Sequence, residues 1–333
     1  MEKVLAKISK EYEVEKISLL HRVDIGYLSN NYILEDNNQK YFLKQYRYKD
    51  LDRIKEVHRV KLFFADGGIP IILPIKTKEG NYFFISDDFY YSLFPFIDGK
   101  IIERKDLSIT SLTSIAETLA KIHLLSKDGP PFDISKQLKT LDTEAFFEKA
   151  DHLLKIISKK SLKTEFDLLS EENIRLKMKL VEKNKINWEH LNLKDDHLIH
   201  GDYHNSNLFF DDNDQVKYVF DLEKTKLAPR TNEVLRSVVF CCFDDGYTNR
   251  DNFEKAKLYI KRYHTIYPLD KNEIESNMQY FYINRIHNLW VEEEHYLKGN
   301  KKVDHFMQNR LKGNRYFDQN LGVFINILQK AAS

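Results

Sequence analysis

The chain has 333 residues, 42% hydrophobic and 31% charged, the balance of a globular protein with room for a sizeable core. A net charge of +1 excludes a global electrostatic pull toward nucleic acid or an anionic membrane, and two adjacent cysteines, Cys241 and Cys242, exclude a disulfide framework. The first residues lack the apolar core of a signal peptide, and no run approaches a membrane span, so the cytoplasm is the expected location.

Residues 1 to about 18 carry Val4, Leu5, Ile8 and Tyr12 at helical spacing. Residues 25–34 read as a hairpin whose turn, with Gly26 and Ser29, offers backbone N–H groups and a hydroxyl to phosphates. Residues 40–46 alternate as a strand that carries Lys44. A lysine on a strand face is ordinarily a solvated charge. Residues 51–64 form a helix with Ile54, Val57, Val60, Lys61 and Phe64 near one stripe, stopped by Gly67-Gly68 and Pro70. Glu56 lies on this helix, where it has Lys55 and Arg59 as local partners. Residues 71–74, 82–85 and 90–97 read as further strands, and Pro95 removes one backbone donor from the last.

From residue 108 the pattern is mostly helical. A first helix over 108–125 includes His123, and Gly129-Pro130-Pro131 marks a loop. Two helices of mixed charge fill 141–186, with Lys159, Lys160 and Lys163 as a local basic patch. Cys241 and Cys242 lie in an apolar helical run. Further helices are expected over 253–263, from 270, over 280–296 as one long aromatic-rich helix, and over 317–330.

The chemistry is concentrated in one stretch. An apolar strand ends in His200-Gly201-Asp202-Tyr203-His204-Asn205-Ser206-Asn207, and a second apolar strand ends in Asp221-Leu222-Glu223. Asp202 and Asn207 are five apart, the spacing of the base and the metal-binding asparagine in a kinase catalytic loop, and Asp221 stands where a second metal ligand is needed. Phosphoryl transfer demands such a set, because the moving group is highly charged and one base must orient the nucleophile. His197, His200 and His204 with Asp202 also have ligand chemistry suited to Zn²⁺, although His200 follows an apolar strand and suits a loop-orienting role better.

These motifs resemble the aminoglycoside phosphotransferase and choline kinase superfamily, the small-molecule relatives of protein kinases. Gly201 in place of the arginine of the protein-kinase loop points to the small-molecule branch. The resemblance implies an α+β, bilobal protein-kinase-like fold: an N-lobe of antiparallel sheet and one main helix over 1–95, and a mostly helical C-lobe over 96–333. It implies ATP, or GTP, with Mg²⁺. Asp202 would be the catalytic base, and Asn207 and Asp221 the metal ligands. Gly26, Ser29, Lys44 and Glu56 would hold the phosphates, with Glu56 pairing Lys44. The backbone at Phe96 or Ile97 would bind the adenine edge. His123 would be a structural residue beside the catalytic loop. Glu223 would help with a second metal or face the acceptor.

Acceptor contacts are expected from Arg230, Glu233, Arg285, Trp290 and Glu293. The family often has Tyr-Asp-Leu-Ala near residue 232. Here Asn232-Glu233-Val234 replaces it, so the supporting role of that aspartate either passes to Glu233 or is altered. The implied reaction is O-phosphorylation of a sugar, amino alcohol, choline-like compound or aminoglycoside, with no nucleic acid, membrane or obligate protein partner. The alternative is a catalytically idle kinase-like binding or structural protein of the spore-coat type. Lys44, Asp202, Asn207 and Asp221 are all present, which argues against it. Protein kinase activity is disfavoured because the arginine and glycine of its signature motifs are missing. The stretch Phe220 to Glu223 reads as a rigid strand end with no activation-loop switch.

Overall fold

The computed structural model describes residues 1–23, 29–134, 136, 141–185, 188–243, 247 and 249–333. The chain divides into two compact units. The first comprises Met1–Glu103, Pro130–Ile134 and His200–Lys226, and the second Arg104–Gly129, Ser135–Ile199 and Leu227–Ser333.

In the first unit, α1 (Glu2–Glu11) precedes β1 (Ser18–Val23), β2 (Ser29–Asp36) and β3 (Gln39–Tyr46). After α2 (Leu51–Asp66) come β4 (Phe84–Ser86) and β5 (Phe89–Pro95). The strands form an antiparallel sheet in the order β1-β2-β3-β5-β4. Asn37 and Asn38 both have positive φ, the geometry of a tight two-residue turn between β2 and β3, which asparagine tolerates. That turn fixes the register: Lys44 lies opposite Asn31 on one side and Ser92 on the other. Val4 and Ile8 of α1 pack with Leu34, Leu43, Phe84 and Leu93 of the sheet.

Asp50 caps α2 by accepting from the Arg53 N–H, and Gly68, at φ +81°, lets the Ile69 N–H bond back to Phe64. The strand expected over 71–74 does not form. Pro70 and Pro74 bracket it, and only an isolated parallel bridge joins Ile71 to Val219. Leu208–Phe210 and Val216–Val219 make a short antiparallel hairpin.

The second unit is helical: α3 (Ile109–Leu125), α4 (Thr143–Ser158), α5 (Glu165–Lys183), α6 (Arg230–Cys242), α7 (Arg250–Ile266), α8 (Lys271–His287), α9 (Trp290–Lys298) and α10 (Met307–Ala331). α3 packs on α7, α6 on α8, and α10 against α5, α7 and α8. Thr164 and Asp167 close a capping box at the start of α5. Phe317 and Phe324 are fully buried in an aromatic seam with Phe243 and Phe253, each contributing roughly 2 kcal/mol by leaving water.

The long helix expected over 280–296 is broken at Asn288, which adopts an extended backbone. No proline or glycine sits there. The Asn288 carbonyl instead accepts from Lys177 and Arg310, and its side chain accepts from the Trp290 N–H, so cations and a new cap replace the helical bonds. The last helix also starts earlier than expected, at Met307. Among the described residues, no helix is long and apolar enough to cross a membrane.

Candidate active site

All the residues expected to carry the chemistry lie in the first unit. The loop from His200 to Asn207 is shaped by local constraints. Gly201 has φ +85°, and a Cβ there would overlap the Lys224 carbonyl oxygen, so the position demands glycine on both counts. His200 donates from Nε2 to the Phe220 carbonyl at 2.8 Å and accepts the Asp202 N–H at Nδ1. Both ring nitrogens are therefore used in holding the loop. His197, in the second unit, is likewise engaged by Asp196 and Tyr267. Among the described residues no group of three His, Cys, Asp or Glu side chains is placed to hold a metal.

Asp202 presents Oδ2 to the Lys224 ammonium at 2.7 Å, and the His204 Nε2 stands 3.6 Å from its Oδ1. Asn207 donates its Nδ2 to the Asp202 carbonyl at 2.8 Å. That fixes which end of the amide is free for a cation: Oδ1.

Asp221 is not at a strand end, as the apolar run before it suggested. The strand stops at Val219, Asp221 adopts a left-handed backbone (φ 63°, ψ 52°), and Leu222–Lys224 form a 3-10 turn. Aspartate is among the few residues that tolerate this conformation. The reversal brings both carboxylates of the motif to Lys44. Its Nζ lies 3.1 Å from Asp221 Oδ1 and 2.7 Å from Glu223 Oε1.

Among the described contacts, the carboxylate that pairs Lys44 from the buried side is Glu223. Glu56 is taken by Arg53, one helical turn earlier, and the Arg53 guanidinium also donates to the carbonyls of Glu223 and Thr225 at 2.7 and 2.6 Å. A second ammonium, Lys61 of α2, reaches the same Glu223 oxygen at 3.3 Å.

The electrostatics follow from this pairing. Glu223 is 4% exposed. Burial opposes its charge, but Lys44 and Lys61 hold the carboxyl well below the usual glutamate range. A charge pair near 4 Å gains roughly 4 kcal/mol at an effective dielectric of ~20, so two ammonium groups outweigh a burial penalty of several kcal/mol. Burial also opposes the charge on Lys44, and Glu223 and Asp221 more than offset it, raising its pKa. Lys61 has one of these carboxylates close by and is pulled downward, burial dominating. Asp221 is pushed up to about 6 by loss of hydration, with Lys44 acting in the opposite direction.

The remaining expected residues are dispersed. Gly26 lies outside the described residues. Ser29 is the buried first residue of β2. The Phe96 N–H makes a long 3.4 Å bond to the Lys40 carbonyl, and Ile97 is half-buried. In the second unit, Glu233 is buried against His123 Nε2 at 3.1 Å, and His123 Nδ1 meets the Tyr263 hydroxyl. Arg230 joins the same network through Tyr263 and lies over the Tyr267 ring. Arg285 donates to Asn314, Trp290 packs on Phe306, and Glu293 pairs Lys149.

The sequence matches the phosphotransferase enzyme family over residues 20–268. The chain belongs to that family. Its fold is similar to that of a spectinomycin phosphotransferase solved with ADP and spectinomycin, at 17% identity and TM-score 0.61, covering 99% of this chain and 98% of that one. A microcompartment-associated aminopropanol kinase matches at 13% identity and TM-score 0.63, covering 98% and 100%. An amicoumacin kinase solved with AMP-PNP and Ca²⁺ matches at 13% identity and TM-score 0.59, covering 91% and 93%. No curated protein matches the chain. The α+β phosphotransferase fold, with an antiparallel sheet before a helical part, is thus the one expected.

Three residues that contact the candidate site went unforeseen: Lys61, Arg53 and Lys224. Lys61 alone had a visible signal, a charge on the apolar stripe of α2. Arg53 and Lys224 are charged residues in polar surroundings, and only the fold brings them to the loop.

Proposed function

We propose that this chain is an ATP- and Mg²⁺-dependent kinase that phosphorylates a hydroxyl group of a small molecule such as a sugar, amino alcohol or aminoglycoside. The observation that carries this reading is the contact of Lys44 with Asp221 and Glu223, in the same unit as the Asp202–Asn207 loop. Support also comes from the nucleotides bound in the similar structures, ADP in the spectinomycin phosphotransferase and AMP-PNP with Ca²⁺ in the amicoumacin kinase.

The residues fit a hard divalent cation. Asn207 has Oδ1 available, Asp221 is 41% exposed at its side chain, and among the described residues Glu223 Oε2 is buried without a hydrogen-bond donor. When bound, such a cation supplies charge neutralisation to the phosphate oxygens. Lys44 binds the α- and β-phosphates, fixed in direction by Glu223. Asp202 accepts the proton of the acceptor hydroxyl as that oxygen bonds to the γ-phosphorus and the bond to the bridging oxygen of the departing ADP breaks. Lys224 holds the Asp202 carboxylate in place for this. The unassigned part is the acceptor, for which Arg230, Glu233, Arg285, Trp290 and Glu293 are the candidate contacts.

The test is ADP release with Mg²⁺ and ATP or GTP across sugars, amino alcohols, choline analogues and aminoglycosides, with Asp202→Asn as the blank. A strong signal lost in the variant names the acceptor class. Normal turnover by the variant contradicts the mechanism, and no signal with any acceptor, together with no stabilisation by MgATP, favours an idle kinase-like protein.

A further inference from the structure

Ile54, Val57, Val60 and Phe64 of α2 are fully buried, and Lys61 sits four residues after Val57 and three before Phe64, on the same face. It is 3% exposed, and its ammonium lies over the Phe94 ring. A leucine or methionine would fill such a position without the cost of burying a charge. Among the described residues, the ion pair the lysine gains is with Glu223 Oε1, the atom that Lys44 also holds. Among the described residues the other Glu223 oxygen has no hydrogen-bond donor.

The arrangement matters when Lys44 turns to a nucleotide. An ammonium that donates to phosphate oxygens has fewer hydrogens left for Glu223. With Lys44 as its only anchor, the Glu223 side chain would then be freer to shift. Lys61 holds it in place. Arg53 grips the same residue by its backbone carbonyl, so α2 holds Glu223 at both ends.

We propose that Lys61 is a positioning residue for nucleotide binding: it anchors Glu223, the buried carboxylate that pairs Lys44. The inference rests on the kinase reading above.

The experiment compares wild type, Lys61→Met, Glu223→Gln and the double variant by calorimetric titration with MgATP, by KM for ATP and for an acceptor, and by thermal unfolding without ligand. Lys61→Met is expected to unfold within a few degrees of wild type, because an unfavourable buried charge is removed and Glu223 keeps Lys44. It should bind MgATP about 10–100-fold more weakly, the usual cost of losing a residue that orients a ligating group, with the acceptor KM nearly unchanged. The double variant should be no worse than Glu223→Gln alone. MgATP affinity within about twofold of wild type in a folded Lys61→Met overturns the proposal and leaves the kinase reading standing. So does a double variant clearly weaker than Glu223→Gln, which also serves if Lys61→Met fails to fold. Wild type that neither binds nor consumes the nucleotide overturns both.

Discussion

Lys61 in the first unit and Lys177 in the second are both buried ammonium groups set near a carboxylate, yet their surroundings differ. Lys177 and Glu292 are each fully buried, 3.7 Å apart. Lys177 donates to the Asn288 carbonyl, Glu292 accepts from Asn173, Asn173 accepts from Asn314, and Arg285 donates to Asn314. These contacts cap the end of α8 and tie α5, α9 and α10 together. The Lys61 cluster instead runs through Glu223 and Lys44 to Asp221, which is 41% exposed, on a left-handed backbone. Buried charge alone therefore does not mark a site. A buried charge continuous with exposed carboxylate oxygens on a left-handed turn makes the better candidate.

The largest expected effect is on catalysis in the first unit. Asp202→Asn should lower turnover by about 10²–10⁴-fold, the usual contribution of a general base, while MgATP affinity stays within a few-fold, measured by steady-state kinetics and calorimetry. In the second unit, Glu292→Gln removes the carboxylate amid Lys177, Arg285 and Arg310. It should cost about 3 kcal/mol in denaturant unfolding and leave MgATP affinity of the folded protein within about twofold. A large loss of nucleotide affinity there would erase the contrast.

Proton linkage sharpens it further. Burial lowers Lys177 to about 7 from an ordinary 10.5, with Glu292 opposing and Arg310 and Arg285 reinforcing the fall. Between those values the unfolded chain holds a proton that the folded chain has released. Unfolding free energy should therefore rise with pH through this window, by at most about 1.4 kcal/mol per pH unit, and level off below it. Lys177→Met should lack the rise, as read from urea unfolding between pH 7 and pH 9. The smallest effect is expected for Glu56→Gln. Its partner Arg53 keeps its carbonyl contacts, so kcat/KM for ATP should fall by no more than about threefold. A loss comparable to that of Glu223→Gln would return Glu56 to the role first expected of it.

What could be read in the sequence was what depends on spacing along one segment. The five-residue separation of Asp202 and Asn207, the alternation placing Lys44 on a strand and the stripe of α2 are all local. The partner of Lys44 was not legible, because Glu56 and Glu223 are both carboxylates at plausible positions. The choice between them depends on how α2 is rotated and on the left-handed turn at Asp221, which no periodicity reveals. The break at Asn288 was hidden for a similar reason: it is made by Lys177, 111 residues earlier, and by Arg310, beyond the helix. Residues 71–74 looked like a strand from their apolar content, but their flanking prolines were the better guide.

Calorimetric titration of MgATP into wild type and Lys44→Met tests the central claim most directly. Wild type should bind at one saturable site, and Lys44→Met, which removes the cation shared by Asp221 and Glu223, should bind roughly 30-fold or more weakly. Equal affinity in the two proteins, or no binding by wild type, would contradict the assignment of this charged cluster as the nucleotide site.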